Sequence, residues 1–375
     1  MIYCKKCVLP ETHETIEFDN EGVCNICRQA EKKHAEVDWQ ARGEMLQKII
    51  EEHKDKGQYD CILPYSGGKD SVYQLWYVVT QLKLKPLVVR FDHWGYRPLV
   101  NKNNHKIFKQ LGVDVLQFTP NWHVVKKLML TSLRETGDFC WHCHTGIFSF
   151  VMQISVKFNI PLVIFGESPA EYRAYTTFEQ ICEVEQGLFD KMINLGINNE
   201  KMFTLLKGQI DRRDLISYEF PTKEQLDKIN SKAIWLGNYI KWDTHNNVEI
   251  IKKELGWQGQ QVEGIPPEYH YEKIECMWQG VRDYCKFIKR GHGRTNHLMC
   301  IDIRAGRMER EKAVELCDKY DGKRPASLDA FLHMLDISEE EFVNELMKNA
   351  HPKYKFDPKI INKGDKLSDA AEWLL

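Results

Sequence analysis

Six consecutive residues, Ser66-Gly67-Gly68-Lys69-Asp70-Ser71, bring two glycines, two hydroxyls, an ammonium and a carboxylate together directly after the apolar run 59–64. An apolar run that breaks into such a turn and then opens a helix builds a phosphate cradle. Paired glycines let the backbone approach an anion, while Ser66, Ser71, Lys69 and the first helix amides supply donors. Asp70 points beyond a simple anion trap. A carboxylate beside a polyphosphate is repulsive unless Mg²⁺ lies between them, so the expected ligand is a nucleotide with its metal. The spacing is not the Walker pattern, in which a longer loop precedes Gly-Lys-Ser/Thr. An ordinary strand-turn-helix junction is the alternative, and the coincidence of strand, glycines, hydroxyls and helix start speaks against it.

Cysteines offer a second chemistry. Cys4-Lys5-Lys6-Cys7 and Cys24-Asn25-Ile26-Cys27 are separated by sixteen residues that include Pro10, Asn20 and Gly22, the arithmetic of a two-knuckle zinc ribbon. So short and polar a segment cannot bury enough surface to order itself, so Zn²⁺ would supply much of its folding free energy. A third pair, Cys140-Trp141-His142-Cys143, offers two ligands and needs at least one more, from Cys276, Cys285, Cys300, His142 or His144. Metal binding, a redox dithiol and a buried structural pair all remain open for it.

The elements that must position these groups alternate short apolar strands with longer helical stretches. Strands are expected over 59–64, Pro86–Phe91, 113–118 and 161–165, with 233–236 a weaker fifth. Unalternated Val/Ile/Leu runs joined by helices imply a parallel sheet covered on both faces, with ligands at the carboxyl ends of its strands. Those ends carry residues 66–71, Asp92 and His93, Thr119 and Pro120, and Gly166, Glu167 and Ser168. Asp92 is a candidate for a ribose hydroxyl, and Gly166-Glu167 for ATP or acceptor; each could instead cap a helix. Residues 171–210 read as an insertion over the site mouth, where Arg173, Tyr175, Arg212 and Arg213 either meet an anionic acceptor or are solvated. Helices are expected over 145–158, over 248–255 with Asp243 as cap, over 271–290 and 308–320, over Ser327–Leu335, and from Ser338, whose hydroxyl forms a capping box with Glu341. Residues 289–294, Lys-Arg-Gly-His-Gly-Arg, suit either a phosphate or a solvated turn. The division expected is a cysteine ribbon and connector helix over 1–45, a nucleotide-binding α/β domain over 46–245 and a helical domain over 246–375.

Composition narrows the classes. With 375 residues, 43% of them hydrophobic and 28% charged, the chain has the make-up of a globular enzyme of two or three domains. No apolar segment follows Met1 and no long apolar run occurs, so neither a signal peptide nor a membrane span is expected, and the cytoplasm is the expected compartment. Twelve cysteines, six of them in C-x-x-C pairs, then read as metal or redox chemistry rather than disulfides. A formal charge of −2 leaves no global footprint for nucleic acid.

Residues 66–71 match the Ser-Gly-Gly-x-Asp-Ser signature of the PP-loop ATP pyrophosphatases, an adenine nucleotide alpha-hydrolase-like fold. Taken with the four-cysteine ribbon, Cys140-Trp141-His142-Cys143, Phe165-Gly166-Glu167, Tyr239-Ile240-Lys241-Trp242-Asp243 and Ile301-Asp302-Ile303-Arg304-Ala305-Gly306-Arg307-Met308, it resembles the N-acetyl sugar amidotransferase family over essentially the full chain. That resemblance implies an ATP-dependent enzyme converting the acetamido group of an activated sugar or nonulosonic acid into an acetamidino group, for O-antigen, capsule or flagellin glycans. Ser66, Gly67, Gly68, Lys69 and Ser71 would hold pyrophosphate and Asp70 would place Mg²⁺, with Lys69 and Asp70 the catalytic pair. Glu275-Cys276 resembles the context of the third cysteine in related PP-loop enzymes, which makes Cys276 the third ligand for Cys140 and Cys143, on zinc or an iron–sulfur cluster. The family implies ammonia-supplying partners similar to the glutaminase and cyclase subunits of imidazole glycerol phosphate synthase. No glutaminase is evident in the chain, since the lone Cys61, Cys182 and Cys285 lack the context of a nucleophile. One departure is Arg90-Phe91-Asp92-His93-Trp94, where many PP-loop enzymes carry an Asp-Asn-Gly type turn. The alternatives are a PP-loop tRNA thiolation enzyme using an iron–sulfur cluster, and a non-enzymatic ribbon module on a degenerate nucleotide fold.

Overall fold

The computed structural model describes residues 1–171, 176–177, 181, 184, 187, 189, 194 and 196–357. Five strands form one parallel sheet: β1 Cys61–Pro64, β2 Pro86–Phe91, β3 Asp114–Phe118, β4 Leu162–Phe165 and β5 Lys232–Trp235, in the order β3-β2-β1-β4-β5. The α/β expectation holds, and each strand lies within two residues of its expected limits. β1, β2 and β4 are buried throughout, which is why they read as continuous apolar runs rather than alternating ones.

Alternate side chains feed two separate cores. Leu63 and Ile164 point to one face with Val72, Leu75, Val248 and Ile251 of the helices Lys69–Thr80 and Thr244–Leu255. Ile62, Val89, Phe91 and Val163 point to the other, against Trp141, Phe150, Val151 and Ile154 of the helix Trp141–Phe158. That helix crosses so close to β2 that a Cβ on Gly146 would overlap the Phe91 ring, so glycine is the residue that permits this packing. A third core joins the helix Trp122–Thr136 to the C-terminal helices Gln279–Arg290, Ser327–Leu335 and Glu339–Lys348 through Met129, Leu133, Val281, Phe331 and Phe342. Asp243 and Ser338 cap their helices, accepting from the Asn246 and Glu341 N–H groups at 2.9 and 3.0 Å.

One helix expectation is corrected. Residues 271–290 are not one helix; it begins at Gln279, and Lys273 in the preceding turn takes φ +52°, a left-handed value that no helix continues through. The loop 289–294 is a structural joint. Arg290 pairs with Glu14 at 3.3 Å and donates to the Thr12 carbonyl at 2.6 Å, and His292 is buried. Arg173, Tyr175 and Cys182 lie outside the described residues. Arg212 pairs with Glu200, and Arg213 lies 3.2 Å from Asp211, on the surface. Among the described residues no helix is long and apolar enough to cross a membrane.

Candidate active site and metal centre

The strand order reverses direction at β1 and β4, and the turns leaving these two neighbours open a crevice at the carboxyl edge of the sheet. Residues 66–71 leave β1 into that crevice; Gly166 and Glu167 leave β4. Gly67 takes φ +87°, and a Cβ there would come within 2.6 Å of both Val100 and Asn104. The Ser66 and Gly67 N–H groups both donate to Ser71 Oγ, at 3.2 and 3.0 Å, and Gly68 N–H donates to Ser66 Oγ at 3.3 Å. Three neighbouring amides thus converge on two hydroxyl oxygens, at the start of the helix Lys69–Thr80, which has no side-chain cap. Convergent amides on an uncapped helix start form an anion cradle. Trp257 covers it, with Nε1 3.4 Å from the Gly67 carbonyl.

The charge around this cradle comes from both ends of the chain. Lys69 Nζ lies 2.7 Å from Asp70 Oδ2 and 2.7 Å from Glu272 Oε2. Burial pushes the Glu272 carboxyl up, but Lys69, Lys273 and Arg294 outweigh it and hold it at about 2. Glu275 lies over Gly68, where a Cβ would overlap its carboxylate. Glu167, at the carboxyl end of β4, is pushed up by burial and then by the charge of Asp70. Asp70 Oδ1 is buried and has no partner among the described residues. A buried carboxylate oxygen without a partner is a fit for a hard divalent cation, and the amide-lined turn beside an ammonium is a fit for phosphate.

Asp92 lies at the carboxyl end of β2 and braces its own turn, accepting from Trp94 N–H at 2.8 Å and from Thr119 Oγ1 at 3.3 Å. Gly166 packs beside Gln74, whose Oε1 would lie 3.3 Å from a Cβ, and beside the Trp242 ring.

Two of the sequence motifs, far apart in the chain, meet next to the cradle. Arg307 bonds Asp243 Oδ2 at 2.8 Å and Asp302 Oδ1 at 2.9 Å. His245 Nε2 lies 3.0 Å from Asp302 Oδ1 and 3.1 Å from the Tyr271 hydroxyl, and Tyr269 donates to Asp302 Oδ2. Burial raises the Asp302 carboxyl, yet His245, Tyr269 and Arg307 outweigh it and hold it below its ordinary value. Tyr271 is the residue before Glu272, and burial is the main reason its phenol is raised.

At the N-terminus Cys4, Cys7, Cys24 and Cys27 are buried, and their sulfurs all lie within 4.8 Å of one another. Cys7 and Cys24 N–H groups donate to Cys4 Sγ at 3.4 and 3.2 Å, and Cys27 N–H donates to Cys24 Sγ at 3.4 Å. Amides turned onto sulfur favour thiolates, and four thiolates this close require a shared cation. The four-cysteine expectation is therefore met as a cluster able to hold a metal ion. It docks on the helices Arg294–Arg304 and Arg310–Tyr320: Asn296 Nδ2 donates to the Val8 carbonyl at 2.7 Å, and Arg310 Nε donates to the Cys7 carbonyl at 3.2 Å.

Cys140, Cys143 and Cys276 neighbour one another near Arg282. Burial raises the Cys140 thiol, and the charges of Cys143 and Cys276 add to that rise against Arg282. Among the described residues the N-terminal four are the sole cysteine set with all sulfurs within 4.8 Å, so the Cys140 set is more open. Arg282 is held by Asp138 at 3.2 Å, and the flanking His142 is buried, which lowers its imidazole to about 4.

Glu272, Glu275, Lys273, Trp257 and His245 are site residues that sequence reasoning did not find. The available signal was indirect: Asp243, Asp302 and Arg307 stood inside quoted motifs, and two acids flank the turn at 273.

Residues 263–367 match the family model "LPS biosynthesis protein WbpG-like, C-terminal domain". The uncharacterized protein MJ1599 of Methanocaldococcus jannaschii is 27% identical over 199 residues, 51% of this chain and 66% of that protein. Among solved structures, the U34-tRNA thiolase NcsA from Methanococcus maripaludis with its [4Fe-4S] cluster aligns at 13% identity over 84% of this chain and 89% of that one, with a TM-score of 0.33. The segment that delivers Glu272 and Glu275 to the cradle thus lies inside the matched region, and the C-terminal part of this chain is similar to the WbpG-like domain of LPS biosynthesis proteins, which supports the sugar amidotransferase resemblance.

Proposed function

We propose that this chain is an ATP-dependent amidotransferase that converts the acetamido group of a nucleotide-activated or nonulosonic N-acetyl sugar into an acetamidino group, releasing AMP and pyrophosphate. The observation that carries this reading is the meeting of the amide-lined turn 66–71 with Glu272 and Glu275 from the WbpG-like segment. It joins a phosphate cradle to the part of the chain similar to a glycan-biosynthesis domain.

The chemistry explains the demand for ATP. An acetamide carbon is a poor electrophile and its oxygen a poor leaving group. Attack of the amide oxygen on the α-phosphorus expels pyrophosphate and gives an O-adenylyl imidate; ammonia adds to the carbon and AMP departs. The protein's task is positioning and charge stabilisation. Ser66, Gly67, Gly68 and Ser71 would hold the pyrophosphate oxygens. Lys69, released from Glu272 and Asp70, would neutralise the departing charge. Asp70 and Glu167 would hold Mg²⁺, which shields the polyphosphate from the surrounding carboxylates. Asp92 and Gly166 belong to the nucleotide or acceptor surface. Cys4, Cys7, Cys24 and Cys27 would hold Zn²⁺ as a structural ion, and Cys140, Cys143 and Cys276 a second zinc or an iron–sulfur cluster. Ammonia would come from glutaminase and cyclase-like partner subunits.

The test incubates the protein, ATP, Mg²⁺ and ammonium with a panel of acetamido nucleotide-sugars and reads the product by mass spectrometry. Replacement of O by NH, a fall of one mass unit, together with AMP and pyrophosphate, is the expected result. ADP and phosphate, or acceptor-dependent AMP with no mass change, would overturn it.

A further inference from the structure

Ammonia addition to the adenylylated acetamide creates a cationic tetrahedral centre that must lose a proton before AMP leaves. None of the groups assigned above takes it: Lys69 is an ammonium between two carboxylates, and Asp70 and Glu167 are assigned to the cation. A base is needed at the same edge of the sheet, open enough to meet substrate.

The segment after β5 supplies one. Like the turns after β1 and β4, it emerges at the carboxyl edge, and it opens the helix Thr244–Leu255 that packs beside the helix Lys69–Thr80. Trp242 packs at Gly166 and, edge-on, against Tyr73 of the helix that follows the cradle. His245 follows it, with 38% of its side chain exposed. Asp302, buried and ionised, accepts from His245 Nε2 at 3.0 Å. A proton held on Nε2 leaves the lone pair on Nδ1, for which no hydrogen bond is found among the described residues. Tyr269 and Arg307 fix Asp302 in turn, and Tyr271, which lies 3.1 Å from the same imidazole nitrogen, is bonded in sequence to Glu272 of the cradle. A buried carboxylate fixing the tautomer of a half-exposed imidazole is the arrangement of a working general base.

We infer that His245, oriented by Asp302, is the base that takes a proton from the attacking ammonia through Nδ1, an inference that rests on the amidotransferase reading. The ammonia lone pair forms the new C–N bond, the N–H electrons stay on nitrogen as its proton passes to Nδ1, and the C–O bond breaks with its pair leaving on the phosphate oxygen of AMP. The imidazolium then returns its proton to solvent. Asp302 is a positioning residue. The groups around the imidazole are Asp302 and Tyr271 on Nε2, the Tyr269 ring edge-on, and Arg307, which joins Asp243 to Asp302.

Adenylylation precedes the base, so the two half-reactions separate. With the acetamido nucleotide-sugar that wild type converts, His245→Gln is expected to slow amidine formation about 100-fold, to reduce acceptor-dependent exchange of pyrophosphate into ATP far less, and to erase the acid limb of the amidination pH profile. Amidination at the wild-type rate, or equal loss of both half-reactions, overturns the base. Absence of acceptor-dependent exchange in wild type overturns the amidotransferase reading instead. A measurement free of any acceptor stands beside these: ¹⁵N-histidine spectra of the full-length protein, assigned with the His245→Gln variant, should show His245 protonated on Nε2 and lose that bias in Asp302→Asn. A neutral ring protonated on Nδ1 overturns the dyad.

Discussion

The cysteines at the N-terminus and those around Cys140 start from the same C-x-x-C unit and end as different objects. Cys4, Cys7, Cys24 and Cys27 come from one short stretch, and knuckle amides turned onto sulfur bring all four within 4.8 Å. Cys140 and Cys143 stand at the start of the helix Trp141–Phe158, beside Arg282 and Asp138, and Cys276, whose charge acts on Cys140, lies 133 residues beyond Cys143. The first assembly is closed by local geometry. The second is assembled by the fold, and Cys276 adjoins Glu275, which lies over Gly68 of the cradle. A local site can serve as a structural staple independent of the cradle; one that draws on Cys276 shares its backbone with the turn that brings Glu275 to Gly68.

The largest effect expected from breaking this contrast is at the closed site. Cys7→Ser with Cys24→Ser should remove about one metal equivalent by elemental analysis and lower the thermal transition, because metal binding supplies the folding free energy of such a module. Full metal content in the double variant would show that the four thiols hold no ion. Next comes the cradle: Lys69→Ala should cut release of AMP and pyrophosphate by about 100- to 1,000-fold, the scale for losing a preorganised charge partner of the transition state, with the metal content of the ribbon unchanged.

A pH experiment separates the cradle from the ribbon through Glu272. Its carboxyl is lowered from 4.5 to about 2 in the folded protein. A depressed carboxyl stabilises the fold above its unfolded value, so the contribution is complete above about pH 4.5 and is lost as the pH falls toward 2. A shift of that size corresponds to roughly 3 kcal/mol. Glu272→Gln should therefore flatten the acid limb of the stability profile measured by chemical denaturation; an unchanged limb would mean that Glu272 is not held by Lys69.

Cys276→Ser sharpens the comparison directly. The expected result is loss of a second metal equivalent while the first remains, with visible absorbance lost as well if that second centre is iron–sulfur. A wild-type protein holding a single equivalent would leave Cys140 and Cys143 as a dithiol or a structural pair. The smallest effect is a local control: Ser338→Ala removes the cap on Glu341 N–H and should cost about 1 kcal/mol in thermal or chemical denaturation, without changing metal content or turnover.

Sheet and cradle were legible in the sequence because both are written in contiguous residues. A strand buried on both faces must be apolar at every position, as 61–64 and 162–165 are, and the turn 66–71 needs glycine for backbone reasons confined to a few bonds. The cysteine ribbon is legible for the same reason, since ligand spacing within one short loop dictates closure. The caps Asp243 and Ser338 were readable in the chain, but the helix after Asp243 begins at Thr244, four residues before the expected 248, and 271–278 was misread, where Lys273 in the left-handed region breaks an otherwise helical pattern.

What the sequence by itself determined is therefore the local chemistry: a glycine- and hydroxyl-bearing turn after a buried strand, a four-thiol knuckle and an α/β order of elements. What tertiary structure alone decided is which distant groups act on that chemistry. Glu272 ion-pairs with Lys69, Glu275 lies on Gly68, and Asp302 orients His245, across separations of 203, 207 and 57 residues counted from their positions. No periodicity encodes such pairings. They arise because the chain must return to cover the carboxyl edge of a parallel sheet, and burial there makes each carboxylate find a cation or a proton donor.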